Sequence, residues 1–146
     1  MASNQPSNEE SKRMIRQLKL RSTPLRDELL KIFNKNIGIG FSENELKESI
    51  SVPCDRTTVY RTIKILLEKA FIHKIICENG ILKYAVSKTE PVPHIHFQCV
   101  KCQRVFCLND YKIQTPQLPK EYEAQSYHLL VKGNCHHCPE CNKSHK

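Results

Sequence analysis

Two histidines and two cysteines lie close together in the stretch HIHFQCVKC. One residue separates His94 from His96, and two residues separate Cys99 from Cys102. Alternate residues of a β-strand point to the same side, so both imidazoles can reach one ion. Two thiolates at this spacing form half of a tetrahedral zinc site. The stretch therefore predicts metal binding.

A second group of cysteines near the end of the sequence can complete a zinc site. Cys135, Cys138 and Cys141 form two overlapping C-x-x-C pairs. Two such pairs brought together make a closed site of four thiolates that contributes to folding. One alternative is a thiol oxidoreductase, which requires an exposed cysteine of low pKa near a helix N-terminus. Another alternative is a zinc-ribbon module that only binds other proteins.

The composition favours an intracellular protein with a polyanionic partner. The chain has 146 residues, a formal net charge of +8 and eight cysteines. A basic surface suits nucleic acid. The first residues, MASNQPSNEESKRM, lack the apolar segment of a signal peptide. No run approaches the ~20 apolar residues of a membrane helix. We expect a cytoplasmic protein with no membrane partner, whose paired cysteines bind metal rather than form disulfides.

The uneven distribution of metal-ligand residues predicts two domains. The first 87 residues contain two cysteines and one histidine, and the remainder contains six of each. The stretch SKTEPVP has two prolines and no periodic pattern, which is typical of a hinge. We predict an α+β protein with the following boundaries: a winged-helix domain over 1–86, a hinge over 87–93 and a metal-binding domain over 94–146.

The first domain has the pattern of helices followed by a β-hairpin. Thr23 and Asp55 can cap helices with regular apolar stripes, and Ser42 with Glu45 forms a capping box. Asn79-Gly80 between two β-rich runs predicts the hairpin. This order is that of a winged helix-turn-helix unit, in which the helix before the hairpin enters the DNA major groove.

The helix RTTVYRTIKILLEKA has a polar surface suited to DNA. Its buried stripe excludes Arg56, Thr57, Tyr60, Arg61 and Lys64. Hydroxyl and guanidinium groups are good partners for phosphate oxygens and base edges. The alternative is an ordinary amphipathic surface. We predict contacts with DNA at these positions: Thr57, Thr58, Tyr60 and Arg61.

The second domain is predicted to be a small sheet that metal stabilises. HFQCV, RVFCL and SYHLLVKG have the character of strands, and a short helix is predicted after Pro119. A domain of about 55 residues has only a marginal hydrophobic core unless a cross-link such as a metal site stabilises it. A closed zinc site would supply that cross-link.

In combination, these motifs resemble the ferric uptake regulator (Fur) family of bacterial metal-dependent repressors. The matching segments follow in the family's order: LRSTPLR, TTVYRTIKILLEKAFI, HIHFQCVKC and GNCHHC. The resemblance implies a homodimer, joined through a small C-terminal α/β dimerisation domain, on double-stranded DNA with an inverted-repeat operator. It implies that Tyr60 and Arg61 contact bases and phosphates and that Arg21 reaches the minor groove.

The resemblance also implies a structural Zn²⁺ and a separate regulatory ion. The structural ligands would be Cys99, Cys102, Cys135 and Cys138, with Cys141 as the alternative to Cys138. The regulatory site departs from the family's iron-type pattern, because Gly40 and Ala85 stand where members often carry histidine and glutamate. Pro93 and Ile95, next to the two histidines, cannot ligate.

The resemblance offers two replacement ligands, His73 on the first wing strand and Cys107. The regulatory set would then be His73, His94, His96 and Cys107. Imidazoles and a thiolate suit Zn²⁺ better than Fe²⁺ or Mn²⁺, which are the alternatives. We therefore expect a repressor of metal uptake genes, closer to the zinc uptake regulators than to the iron type. A peroxide-sensing repressor of the same family is the alternative function.

Overall fold

A computed structural model of the chain describes residues 8–86, 93–136 and 139. The described helices are α1 (Asn8–Gln17), α2 (Pro24–Lys35), α3 (Glu43–Ser49) and α4 (Arg56–Glu68). The described strands are β1 (Ile39–Gly40), β2 (Ile72–Ile76), β3 (Leu82–Val86), β4 (His94–Cys99), β5 (Val105–Lys112) and β6 (Leu129–Gly133). Within these residues, no helix combines the length and the apolar character that crossing a membrane requires.

Each of the helices α2, α3 and α4 begins at the residue that the sequence predicts. The Thr23 side chain accepts a hydrogen bond from the backbone N–H of Arg26, and the Asp55 carboxylate accepts one from Thr58. Ser42 and Glu45 form the reciprocal capping box. These side chains satisfy N–H groups that have no partner within the helix, so they fix where each helix starts.

The four helices and the hairpin share one apolar core. Leu29, Leu30 and Phe33 of α2 are fully buried against Val59 of α4 and Leu46 of α3. Strands β2 and β3 contribute to the same core and pair antiparallel. Together these elements form the predicted winged helix-turn-helix unit.

The wing turns at the predicted dipeptide. Residues 78–80 form a short 3₁₀ turn in which Asn79 has a φ of 62° and Gly80 a φ of 73°. Asparagine and glycine tolerate this left-handed conformation better than other residues. The turn sets the pairing of β2 with β3, in which His73 lies opposite Ala85.

The second sheet has four strands in the order β1-β5-β4-β6. Strand β4 pairs antiparallel with β5 and parallel with β6. Strand β1 belongs to the winged half of the chain, yet it pairs with β5 through Ile39 and Gly40. A Cβ at Gly40 would lie 3.4 Å from the Val105 side chain and 3.2 Å from that of Ile75. Glycine therefore permits the close approach of the two halves.

Two expectations for the second half need correction or lie outside the described residues. The helix predicted after Pro119 is wrong: residues 113–128 contain a single turn there, closed by the Tyr122 N–H on the Pro119 carbonyl. Tyr122 and Leu118 are exposed, so no apolar stripe exists to pack a helix. Of the predicted hinge over 87–93, residues 87–92 lie outside the described part of the chain.

A buried lysine joins the winged unit to the four-stranded sheet. Lys83 of β3 forms a 3.0 Å ion pair with Glu45 of α3, and its side chain is only 7% exposed. The same ammonium group donates to the backbone carbonyl of Gln103, at 3.1 Å, in the turn between β4 and β5. A buried ammonium group is costly unless it is paired in this way.

We predict that Glu45→Ala destabilises the protein by about 1–3 kcal/mol, because it leaves the Lys83 charge buried without its carboxylate and removes half of the capping box. Urea unfolding of the zinc-containing protein measures this change. The matched control is Glu48→Ala, an exposed residue on the same helix, for which a change within about 0.5 kcal/mol is expected. Equal effects of the two substitutions would contradict this role for Glu45.

Candidate metal centres and nucleic-acid interface

Four potential metal ligands from three strands converge on one point. His73 lies on β2, His94 and His96 on β4, and Cys107 on β5. One ligand atom of each residue lies within 4.8 Å of those of the other three. We refer to these four residues as the histidine-thiol cluster. They are the same four that the sequence predicts for a regulatory ion.

The register of the strands produces this convergence. His96 lies directly opposite Cys107 in the antiparallel β4–β5 pair, and a register shift between His94 and Ile95 displaces the start of β4. Such irregularities re-aim side chains at the edges of sheets. Cys107 is further fixed by its backbone N–H, which donates to the Gly38 carbonyl at 2.7 Å. His73 belongs to the wing, so the cluster contains residues from both sheets.

The spacing within the histidine-thiol cluster fits a tetrahedral ion with nitrogen and sulfur ligands. Zinc bond lengths imply N···N separations of about 3.3 Å and N···S separations of about 3.6 Å for such an ion. The Nε2 atoms of His73 and His96 are 3.1 Å apart. The Sγ atom of Cys107 is 3.4 Å from Nε2 of His73. The residues present therefore fit a bound zinc ion.

Burial sets the protonation of the histidine-thiol cluster. Together with a smaller effect of the neighbouring His94, it lowers the pKa of His73 to about 4 and that of His96 to about 3. Burial raises the pKa of the Cys107 thiol to about 12. At neutral pH the imidazoles of His73 and His96 are thus already in the neutral form that metals bind, whereas the thiol still carries its proton.

A second cluster consists of cysteines alone. One sulfur each from Cys99, Cys102 and Cys135 lies within 4.8 Å of the others. The Cys102 and Cys135 sulfurs are 3.7 Å apart, close to the roughly 3.8 Å of two thiolates on a tetrahedral zinc and far longer than a disulfide bond. Cys138 and Cys141, the two candidates for the fourth position, lie outside the described residues.

Backbone hydrogen bonds position the residues of the cysteine cluster. Gln103 follows Cys102 with a φ of 61°, and its N–H donates to the Cys99 carbonyl, which closes the turn. The Cys135 N–H donates to the Cys99 sulfur at 3.5 Å. N–H donors aimed at sulfur stabilise a thiolate ligand. This turn also supplies the Gln103 carbonyl that Lys83 binds.

The predicted DNA-contacting residues lie at the exposed surface of the winged unit. Thr57, Tyr60 and Arg61 are exposed on α4, and Tyr60 is 51% accessible despite its large ring. Thr58 is exposed too, but its hydroxyl donates to the Asp55 carboxylate at 2.6 Å and so supports the helix cap. Arg21 is exposed before α2, apart from this helix in the sequence.

Sequence reasoning missed β1 and its contact with β5. The segment NIGIG, with Gly38 and Gly40, reads in the sequence only as the end of a helix. Isolated glycines can instead indicate that another backbone approaches closely. Gly38 does adopt a φ of 82°, which favours glycine, and its carbonyl binds the backbone of Cys107.

The chain matches one protein family over most of its length. The profile of the Ferric uptake regulator family matches residues 17–143. No curated protein shows significant similarity to the sequence.

Several solved structures share the fold. A zinc uptake regulator complexed with zinc and DNA has a TM-score of 0.63 at 18% identity, covering 98% of this chain and 99% of the other. A zinc-bound manganese uptake regulator has a TM-score of 0.61 at 18% identity, with 86% and 98% covered. The Vibrio cholerae ferric uptake regulator has a TM-score of 0.60 at 16% identity, with 84% and 98% covered.

We predict that zinc uptake by the histidine-thiol cluster at pH 7.5 releases one more proton in the wild type than in Cys107→Ala. The thiol pKa of about 12 keeps Cys107 protonated at this pH, so the proton must leave when the sulfur ligates. Calorimetric titration in buffers of different ionisation enthalpy counts the protons. Equal proton release by both proteins would contradict ligation by Cys107.

Proposed function

We propose that zinc is the regulatory ion of this chain, which belongs to the Ferric uptake regulator family and is a metal-responsive, DNA-binding transcriptional regulator. Members of the family are regulators rather than enzymes, and neither metal cluster requires a catalytic role. The proposal rests mainly on one observation, the convergence of three imidazoles and one thiol in the histidine-thiol cluster.

The ligand types in the histidine-thiol cluster favour zinc over iron and manganese. Imidazole and thiolate together suit Zn²⁺, whereas Mn²⁺ favours oxygen ligands. No carboxylate belongs to the cluster within the described residues. The same composition disfavours the peroxide-sensing alternative, which requires Fe²⁺ beside a histidine. Repression of zinc uptake genes is therefore the proposed physiological role, in the cytoplasm.

The position of the histidine-thiol cluster suggests how occupancy would control DNA binding. His73 belongs to the wing, and its three partners belong to the four-stranded sheet. A bound zinc would supply coordinate bonds to both units. The ligands would then favour one arrangement of the winged unit relative to the sheet, which is a population shift between arrangements. Metal and operator would raise each other's affinity reciprocally.

The cysteine cluster has a separate, architectural role in the proposal. Cys99, Cys102 and Cys135, with Cys138 or Cys141 as the fourth ligand, would hold a permanent Zn²⁺ that staples the small sheet. We propose that the chain acts as a homodimer and that its two winged units read an inverted-repeat operator. The symmetry of an operator mirrors the two-fold symmetry of the dimer that reads it.

We predict two zinc ions per chain, of which mild chelation removes one. Removal of the exchangeable ion should weaken binding to a duplex selected from a random pool by at least tenfold, a coupling of about 1.4 kcal/mol. His96→Ala should retain only the structural ion and bind that duplex weakly with or without zinc. Metal analysis paired with fluorescence anisotropy measures both quantities.

The control for His96→Ala is Tyr122→Ala, an exposed ring in the loop between β5 and β6 and outside the histidine-thiol cluster. It should retain both zinc ions and the zinc-dependent binding. If His96→Ala keeps its exchangeable zinc and its metal-dependent affinity, the assignment of the regulatory site is wrong.

We predict that Arg61→Ala or Tyr60→Ala lowers affinity for the selected duplex roughly 10- to 100-fold, the usual loss for a base or phosphate contact. The zinc content should not change, because α4 contributes no ligand to either cluster. Lys120→Ala, which removes a charge from an exposed loop of the second half, is the control and should bind like the wild type. Unchanged affinity in the α4 variants would exclude this helix as the reading element.

A further inference from the structure

Arg56 occupies a position in α4 that helix electrostatics disfavour. It is the first residue of the helix, directly after the Asp55 cap. The positive end of the helix dipole lies there, so carboxylates stabilise the first turn and cations do not. The first turn of α4 contains no acidic residue. A cation placed against this rule indicates a role other than helix stability.

Arg56 forms no ion pair with a carboxylate among the described residues. The ion pairs within the described residues join Lys83 to Glu45 and Lys132 to Glu78. The Oδ1 atom of the adjacent Asp55 carboxylate accepts from the backbone N–H and the hydroxyl of Thr58. The positive charge of the guanidinium therefore remains available to an external anion or acceptor.

A neutral side chain from the preceding helix holds Arg56 instead. The Nη2 atom of Arg56 donates to the Oδ1 atom of Asn44, on α3, at 2.8 Å. Both side chains are exposed, so the bond does not serve the core. It uses one of five guanidinium N–H groups and leaves four for other acceptors. It also restricts a long side chain that otherwise loses rotamer freedom when it binds.

The location of Arg56 suits contact with base edges. It lies one helical turn before Tyr60, on the same side of α4, because residues four apart are neighbours on a helix. In helix-turn-helix units the N-terminal residues of the recognition helix reach the bases, while the preceding helix crosses the backbone. Asn44 lies on that preceding helix, so in such a unit its hydrogen bond would hold the Arg56 side chain at the end of α4 that reaches the bases.

We propose that Arg56 is a specificity-determining residue that reads a guanine in each half of the operator, and that Asn44 is its positioning residue. Guanine is the base that arginine recognises best, through two parallel hydrogen bonds to O6 and N7 in the major groove. The inference rests on the proposed DNA-binding function. It adds a base contact to those of Tyr60 and Arg61.

The test is selection of duplexes from a random pool by the zinc-loaded full-length protein, followed by affinity measurements on the selected duplex. The wild type should prefer guanine at one symmetry-related pair of positions by at least tenfold over other bases, within the range for one bidentate contact. Arg56→Ala should reduce this preference to about twofold or less. Arg56→Lys should keep part of it, because an ammonium group can still donate to O6 and N7 but lacks the planar fork.

Asn44→Ala separates positioning from contact. It should weaken the guanine preference severalfold while leaving affinity for an unrelated duplex unchanged, because the arginine is still present. Lys64→Ala, an exposed cation further along α4, is the charge-matched control and should leave the selected sequence unaltered. Zinc content and the thermal unfolding midpoint of each variant confirm that the fold persists.

Two results would overturn the inference. In the first, Arg56→Ala selects the same sequence as the wild type and loses affinity evenly, with a salt slope smaller by about 1; Arg56 is then a phosphate contact. In the second, Asn44→Ala retains the full guanine preference, which excludes its positioning role. If the wild type itself selects no sequence, the proposed function fails instead of this inference.

Discussion

Three imidazoles and a thiol held within 4.8 Å of one another constrain the structure more than any other feature. Bringing polar groups together out of water costs free energy unless each gains a partner. Here burial keeps His73 and His96 neutral, so their approach to 3.1 Å avoids the repulsion of two charged rings. The same loss of water would make the histidines poor bases but ready metal ligands. The convergence places His73 of the wing beside three residues of the four-stranded sheet.

Other contacts join the two halves without any ion. Strand β1 pairs with β5 through only two residues, and Lys83 reaches the Gln103 carbonyl beside the cysteine turn. Each such hydrogen bond contributes about 0.5–1.5 kcal/mol net. Apolar contact adds to them, because Ile75, Cys77 and Ala85 of the winged half are buried in one cluster with Val105 of β5. Lys132 of β6 also forms an ion pair with Glu78 in the wing turn. The cysteine turn therefore shapes both the small sheet and the surface on which the winged unit rests.

Local chemistry explains which features the sequence could predict. Caps at Thr23, Ser42 and Asp55 and the Asn79-Gly80 turn act over a few residues, so their patterns are legible in the sequence. The histidine-thiol cluster required family resemblance, because His73 and Cys107 come from strands that no local pattern brings together. Strand β1 was missed since a two-residue strand has no periodicity. The hydrogen bond between Arg56 and Asn44 joins two helices, and the spacing of residues in the sequence does not predict it.

The contacts between the halves bear on how a regulatory ion could act. Moving an equilibrium from 1:99 to 99:1 requires a preference of about 5.5 kcal/mol for the favoured arrangement. Structural zinc sites in small peptides bind with about 10–16 kcal/mol, so a weaker, exchangeable site could still supply this preference with part of its binding energy. With a stronger interface, only one arrangement of the halves would be populated, and the ion would have no equilibrium to shift. Without an interface, His73 would lie too far from its partners to bind the same ion. The pairing of β1 with β5, the Lys83 contact and the apolar cluster around Val105 would hold the histidine-thiol cluster near its assembled geometry, and a bound ion would then set the final arrangement.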